Sequence, residues 1–196
     1  MLKFGKKVNY RPLLFSLFLS GVVGLLFSVN ISQDLGFKIG IIMFLMILFG
    51  HYLMFLPTIF SYWDSTERWI RYSDTKKLYR RIYAVIFPKL FPLRIIDKTQ
   101  IVSVTVTGLP KKSTNFTSEL VLAEEGGYMY DLLSMINDPV KIQLSLKDGG
   151  IVDLNISSDY VKRPHETIGK LTIFLKEFPS GQVQLSEKAK KLMCLN

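Results

Sequence analysis

The hydrophobic rhythm of this chain changes once, and the change divides it. Leu13 to Ile31 and Ile39 to Phe60 are two long, predominantly apolar runs without a charged residue. A bilayer core about 30 Å thick needs roughly 20 apolar helical residues, so each run is long enough to span one. Ser32 to Lys38 joins them, contains Gly36, and predicts a tight helical hairpin. A cleaved signal sequence is the competing reading of the first run. A second span follows at once and no small-residue cleavage pattern is evident, which argues against it.

From about Trp63 onwards, apolar residues recur at every second position. Val102, Val104 and Val106 alternate with Ser103, Thr105 and Thr107. Ile142, Leu144 and Leu146 alternate with Gln143, Ser145 and Lys147, and Val152, Leu154 and Ile156 with Asp153, Asn155 and Ser157. Each pattern predicts a half-buried strand. Asp148-Gly149-Gly150 between the last two is a hairpin turn. Trp69 to Ser73 and Leu78 to Ile86 read as two more strands, joined across Asp74-Thr75-Lys76-Lys77. Pro164 opens a helix, a position proline tolerates. Ile168, Leu171, Phe174, Leu175 and Phe178 then share one face before Pro179-Ser180-Gly181 ends it. Leu109 to Pro139 is less regular, with a short strand expected at Glu119 to Ala123 and a helical turn at Tyr130 to Ile136. Loops of that length are often functional.

These elements predict an α+β membrane protein. Residues 1–62 form a two-helix transmembrane hairpin, with spans at about 13–31 and 39–60. Residues 63–196 form a basic, mostly antiparallel β domain of pleckstrin-homology-like plan, with a closing helix at about 164–178 and a basic tail.

Charge adds a direction. The net charge is +9. Lys3, Lys6, Lys7 and Arg11 precede the first run, and Arg68, Arg71, Lys76, Lys77, Arg80 and Arg81 follow the second, whereas the connection holds only Asp34 and Lys38. The positive-inside rule then keeps both termini on the cytoplasmic or stromal side. Tyr62, Trp63 and Trp69 suit an interfacial aromatic belt. The six basic residues after the second run are candidate contacts for anionic lipid headgroups or acidic partners, at about 1 kcal/mol each near an anionic surface. Alternatively they only set topology. Because the basic residues flank apolar runs, nucleic acid is not the expected partner.

Ser16, Ser20, Gly24 and Ser28 recur every four residues and place small side chains along one stripe of the first helix. Such a stripe lets another helix approach closely, either the second span or another membrane-protein subunit. Pro57 is expected to kink the end of the second span. His51 lies inside the apolar run with no ionisable partner in the first span, and reads as a packed or interfacial residue.

Little reactive chemistry is patterned. Cys194 is the single cysteine, which excludes an internal disulfide. His51 and His165 are the only histidines, and no Cys/His cluster has metal-ligand spacing. No nucleophile motif surrounds any serine. Gly126-Gly127 and Gly149-Gly150 read as turn glycines rather than a phosphate cradle, and Glu124-Glu125 as a solvated loop. No catalytic residue, metal or cofactor is expected, and the chain reads as a non-enzymatic one.

The order of parts, two N-terminal spans and then a mostly β domain ending in a helix, resembles the photosystem I assembly factor of thylakoids known as hypothetical chloroplast reading frame four. Asp74, Lys76, Ile82, Tyr83, Phe87, Pro88 and Lys89 are similar in spacing to that family's aspartate and lysine, alternating strand and aromatic-proline-lysine. Ile142, Leu144, Leu146, Lys147, Gly150, Val152 and Leu154 match the rhythm of its later hairpin. Pro164, Glu166, Phe174, Leu175, Lys176 and Pro179 look like its closing helix. Val85-Ile86 stands where the family has tryptophan-glycine, and the family's following double arginine is absent. The resemblance implies a thylakoid scaffold for photosystem I subunits. The same plan also fits bacterial two-span proteins whose pleckstrin-homology-like domain serves a transporter as an accessory or immunity factor.

Overall fold

The structure is a computed structural model and describes residues 1–109, 133 and 135–193. It is an α+β protein with two long apolar N-terminal helices and antiparallel sheets. The chain forms two compact units: Met1–Lys6, Ser61–Ser73 and Leu93–Asn196 make a β unit, and Lys7–Phe60 with Asp74–Pro92 make a helical unit.

In the helical unit, α1 spans Arg11–Asn30 and α2 spans Gln33–Ile59. Both are long and apolar enough to cross a membrane. Only 17% of the most apolar window of each is buried, unlike a helix at the centre of a water-soluble core. Pro12 sits in the first turn of α1, where a missing N–H costs nothing. The Ser32 hydroxyl accepts from the Leu35 N–H at 3.3 Å and caps α2. Asp34 beside it favours the positive end of the helix dipole.

The seam between α1 and α2 is made of backbone. A Cβ on Gly36 would lie 2.5 Å from both the Gly24 carbonyl oxygen and the Ser28 nitrogen. One on Gly24 would lie 3.1 Å from the Gly36 oxygen and 3.3 Å from the Gly40 Cα. Ser16 and Ser20 are buried and donate their hydroxyls back into their own helix, to Pro12 at 2.7 Å and Leu17 at 3.0 Å. The four-residue stripe read from the sequence therefore lies against α2.

α2 is not uniform. It is a π-helix from Met46 to Leu53 and returns to α from Met54 to Ile59, with Pro57 inside that last segment. Proline has no N–H for the carbonyl four residues earlier, here Leu53.

Leu78 to Ile86, expected as a strand, is a helix, α3. Its apolar residues recur at three and four as well as at two: Leu78, Ile82 and Val85, and Tyr79, Tyr83 and Ile86. The period-two reading failed because the same letters fit both templates. Pro88 ends the helix by pushing Phe87 out of the α region.

Among the described residues the β unit holds two four-stranded sheets. In the first, β1 (Leu2–Phe4), β2 (Trp63–Ser65), β3 (Trp69–Tyr72) and β4 (Arg94–Asp97) lie antiparallel in chain order. In the second, β5 (Ile101–Thr107), β6 (Lys141–Leu146) and β7 (Ile151–Asn155) are antiparallel and β8 (Val183–Gln184) adds in parallel to β5. Helices α4 (Ser157–Lys162), α5 (Pro164–Leu175) and α6 (Glu187–Met193) complete the unit. The closing helix thus begins at the expected proline and ends before Phe178, which still packs into the core. The expected strand at 119–123, and most of the expected turn at 130–136, lie outside the described residues.

The core forms around Trp63, which is 1% exposed. Phe4 stacks on it at 4.2 Å and Phe174 meets it edge-on at 5.2 Å. Val104, Ile142, Leu144 and Leu154 point into the same core from the second sheet, as their alternation predicts. Val102 departs from the pattern and is exposed, because a register shift between Ile101 and Ser103 gives the inward place to Ile101. Trp63 is a core residue rather than part of an interfacial belt.

Gly36→Leu should push the two helices apart. The expected loss is about 1–3 kcal/mol from overpacking, read as a lower unfolding temperature in detergent. Gly21→Leu, whose new Cβ meets nothing within 4 Å, should leave the transition in place. Equal transitions for the two variants would remove the seam as a constraint.

Candidate functional site

The six basic residues singled out from the sequence divide between the units. Arg68 and Arg71 belong to the β unit, and Lys76, Lys77, Arg80 and Arg81 to the helical unit.

On the β unit, Asp64 sits on β2 directly across from Arg71 on β3. Asp64 is fully buried. Arg71 Nε donates to its Oδ1 at 2.8 Å, and the Tyr62 hydroxyl donates to its Oδ2 at 2.8 Å. A buried carboxylate is tolerated only when paired and hydrogen-bonded, and this one is both. Burial first, and then the hydrogen bond to Asp64, push the Tyr62 phenol up to about 12. The hydrogen bond to Asp64 and its charge push Arg71 further up. Asp97 is held below the usual carboxylate range, chiefly by the Thr99 backbone N–H and then by its hydroxyl. Arg68 reaches Asp97 at 3.5 Å and lies 4.7 Å over the Trp69 ring. Thr66, Trp69, Arg71, Ile95, Asp97 and Gln100 line a shallow groove of about 570 Å³. Its lining combines the apolar Trp69 and Ile95 with the charged Arg71 and Asp97.

On the helical unit, Arg80 Nη1 meets Asp74 Oδ2 at 2.7 Å, with the side chains 13% and 10% exposed. Arg81 donates to three carbonyl oxygens: Thr75 at 2.8 Å, Lys76 at 3.2 Å and Leu53 at 3.2 Å. The last is the carbonyl that Pro57 leaves without its helical partner. Arg81 therefore closes the gap that the proline opens. Lys76 and Lys77 are exposed.

Along the hairpin, Ser20, Gly24, Ser28, Gly36, Phe37 and Gly40 are among the residues lining an open groove of about 520 Å³. The stripe thus serves the α1–α2 seam and borders a slot on the flank of the hairpin. His51 lies edge-on to Tyr52 at 5.0 Å and Phe55 at 5.6 Å, a packed position in the π segment. Among the described residues no group of three or more His, Cys, Asp or Glu side chains could hold a metal ion.

Asp64 went unremarked in the sequence, and Asp74 was read only as a connection residue and a match to the family's aspartate, because isolated acids beside turns carry no periodic signal. The one available cue was local: each lies within seven residues of an arginine.

Comparison with protein-family models, curated proteins and solved structures finds no match to this chain.

The raised Tyr62 phenol has a pH consequence. Its folded pKa lies above the ordinary value of 10.0, so its contribution to stability is whole below pH 10 and is lost as pH rises towards about 12. The absorbance titration that Tyr62→Phe removes should have its midpoint near 12. In Asp64→Asn that midpoint should move part of the way back, since burial remains. A midpoint unmoved in Asp64→Asn would refute the pairing as a cause.

Proposed function

We propose that this protein is a non-enzymatic, membrane-anchored scaffold that holds client subunits beside a bilayer. The observation that supports this reading is the outward apolar surface of α1 and α2: both are of spanning length and leave most of their side chains unburied. In this reading the protein is an integral, multi-pass membrane protein with both termini on the cytoplasmic or stromal side. The β unit is a pleckstrin-homology-like module whose groove at Trp69 and Ile95 receives a peripheral partner. The hairpin groove beside Ser20, Gly24 and Ser28 receives a transmembrane helix of a membrane-protein subunit.

The client proposed on the family resemblance is photosystem I in the thylakoid membrane. One observation favours a second reading. Leu78–Ile86 is a helix where the resemblance expects an alternating strand. That supports the more general class, a bacterial two-span protein assisting or protecting a transporter.

Purification of the tagged chain from its own membranes in mild detergent separates the two. Photosystem I subunits should co-purify under the first reading, and their consistent absence from a photosynthetic host would end it. Orientation has its own readout. In a Cys194→Ser background, Gln33→Cys on the hairpin connection should label with an impermeant thiol reagent from the side opposite to Lys147→Cys. Labelling of both from one side would overturn the two-span anchor.

A further inference from the structure

α3 is turned inside out for a helix in water. Its charged residues face inward: Arg80 is paired with Asp74, and Arg81 binds backbone carbonyls. Ala84 and Val85 are buried beside them. At 3.6 residues per turn the opposite face carries Tyr79, Tyr83 and Ile86, and these are 64%, 41% and 43% exposed. Phe87 and Leu90, just beyond the helix, are also exposed. A surface helix of a soluble protein shows the reverse arrangement.

The position of α3 in its unit says what meets that face. Ala84 and Val85 cluster with Val8, just before α1, and with Leu53, Leu56 and Phe60, at the end of α2. α3 is therefore packed at the end of the hairpin where the chain enters and leaves, remote from the Ser32 connection. On the membrane reading, this is the depth of the headgroups. Two tyrosines on the outward face suit that depth, since their rings are apolar and their hydroxyls polar. Lys77 and Lys89, exposed on either side of the helix, place positive charge where lipid phosphates lie.

We propose that α3 is an interfacial helix whose Tyr79–Tyr83–Ile86 face lies in the headgroup–acyl boundary of a lipid bilayer. It fixes the depth and tilt of the hairpin from one side, as an amphipathic helix does when its apolar face is buried about 5–10 Å into that boundary. The inference rests on the membrane reading of α1 and α2, and its test keeps the two apart.

The experiment uses the full chain, Cys194→Ser, reconstituted in vesicles of mixed zwitterionic and anionic lipid. A bimane probe is attached at Tyr83→Cys, at Phe18→Cys on the outward face of α1, or at Lys147→Cys in the β6–β7 turn. Acyl chains brominated near the headgroup should quench the Tyr83 probe more than chains brominated near the bilayer centre. The Phe18 probe should show the opposite order, and the Lys147 probe no quenching. A quenched Phe18 probe with an unquenched Tyr83 probe overturns the interfacial helix and leaves the spans standing. No quenching at Phe18 overturns both. An unquenched Tyr83 position that cross-links between copies assigns the face to a second copy instead.

Discussion

The helical unit depends on a contact between backbones. Gly36 meets Gly24 and Ser28 so closely that no Cβ fits between them. In water such a pair would be held by apolar side chains leaving solvent. Here the large side chains of α1, among them Leu14, Phe15, Leu17 and Phe18, point away from the partner helix. On the proposed membrane reading, burying them against another helix would gain nothing, because the surroundings are equally apolar, and close van der Waals approach would supply the attraction. The seam of small residues and the outward leucines are two sides of one solution. The short connection and the Ser32 cap follow from it, because helices this close need little chain to join them.

The far end of the hairpin has the opposite problem. α2 ends in a π segment followed by Pro57, and the proline has no N–H to offer the Leu53 carbonyl four residues earlier. An unpaired buried carbonyl costs about 1–3 kcal/mol. Arg81 answers it from α3 and is held there by two further carbonyls. Arg80, one residue earlier, goes to Asp74. With both arginines drawn inward beside Ala84 and Val85, Tyr79, Tyr83 and Ile86 are left on the outward face of this nine-residue helix. The exposed pairs elsewhere, Lys38 with Asp34 and Arg163 with Glu166, carry no comparable structural role, since such pairs contribute about 0–1 kcal/mol.

What was legible in the sequence followed from long or strictly periodic runs. The two long apolar helices, β3, β5, β6, β7 and the proline-led closing helix were visible because length or alternation left one template. Leu78–Ile86 was misread because its letters satisfy both periods, and only the contacts of Ala84 and Val85 decide between them. β1 was invisible: three residues before a basic stretch carry no pattern, and the strand exists because Phe4 stacks on Trp63. Half of the seam was legible. The serine–glycine stripe could be seen at four-residue spacing, but its partner Gly36 was read as part of the turn and Gly40 was not singled out. The pairing of the charges was not legible at all, since a count of basic residues does not say which ones meet an acid.

That last point separates two roles that the sequence merges. On the proposed membrane reading, topology would be set on a chain still being inserted, when Arg71, Arg80 and Arg81 are unpaired and each counts towards the positive side. Attraction to a headgroup acts on the folded protein, when Arg71 belongs to Asp64, Arg80 to Asp74 and Arg81 to three carbonyls. The same residues are therefore strong in the first role and weak in the second. On that reading, a folded surface facing anionic lipid would present exposed lysines such as Lys76, Lys77 and Lys89 beside Tyr79 and Tyr83 rather than the net charge of +9.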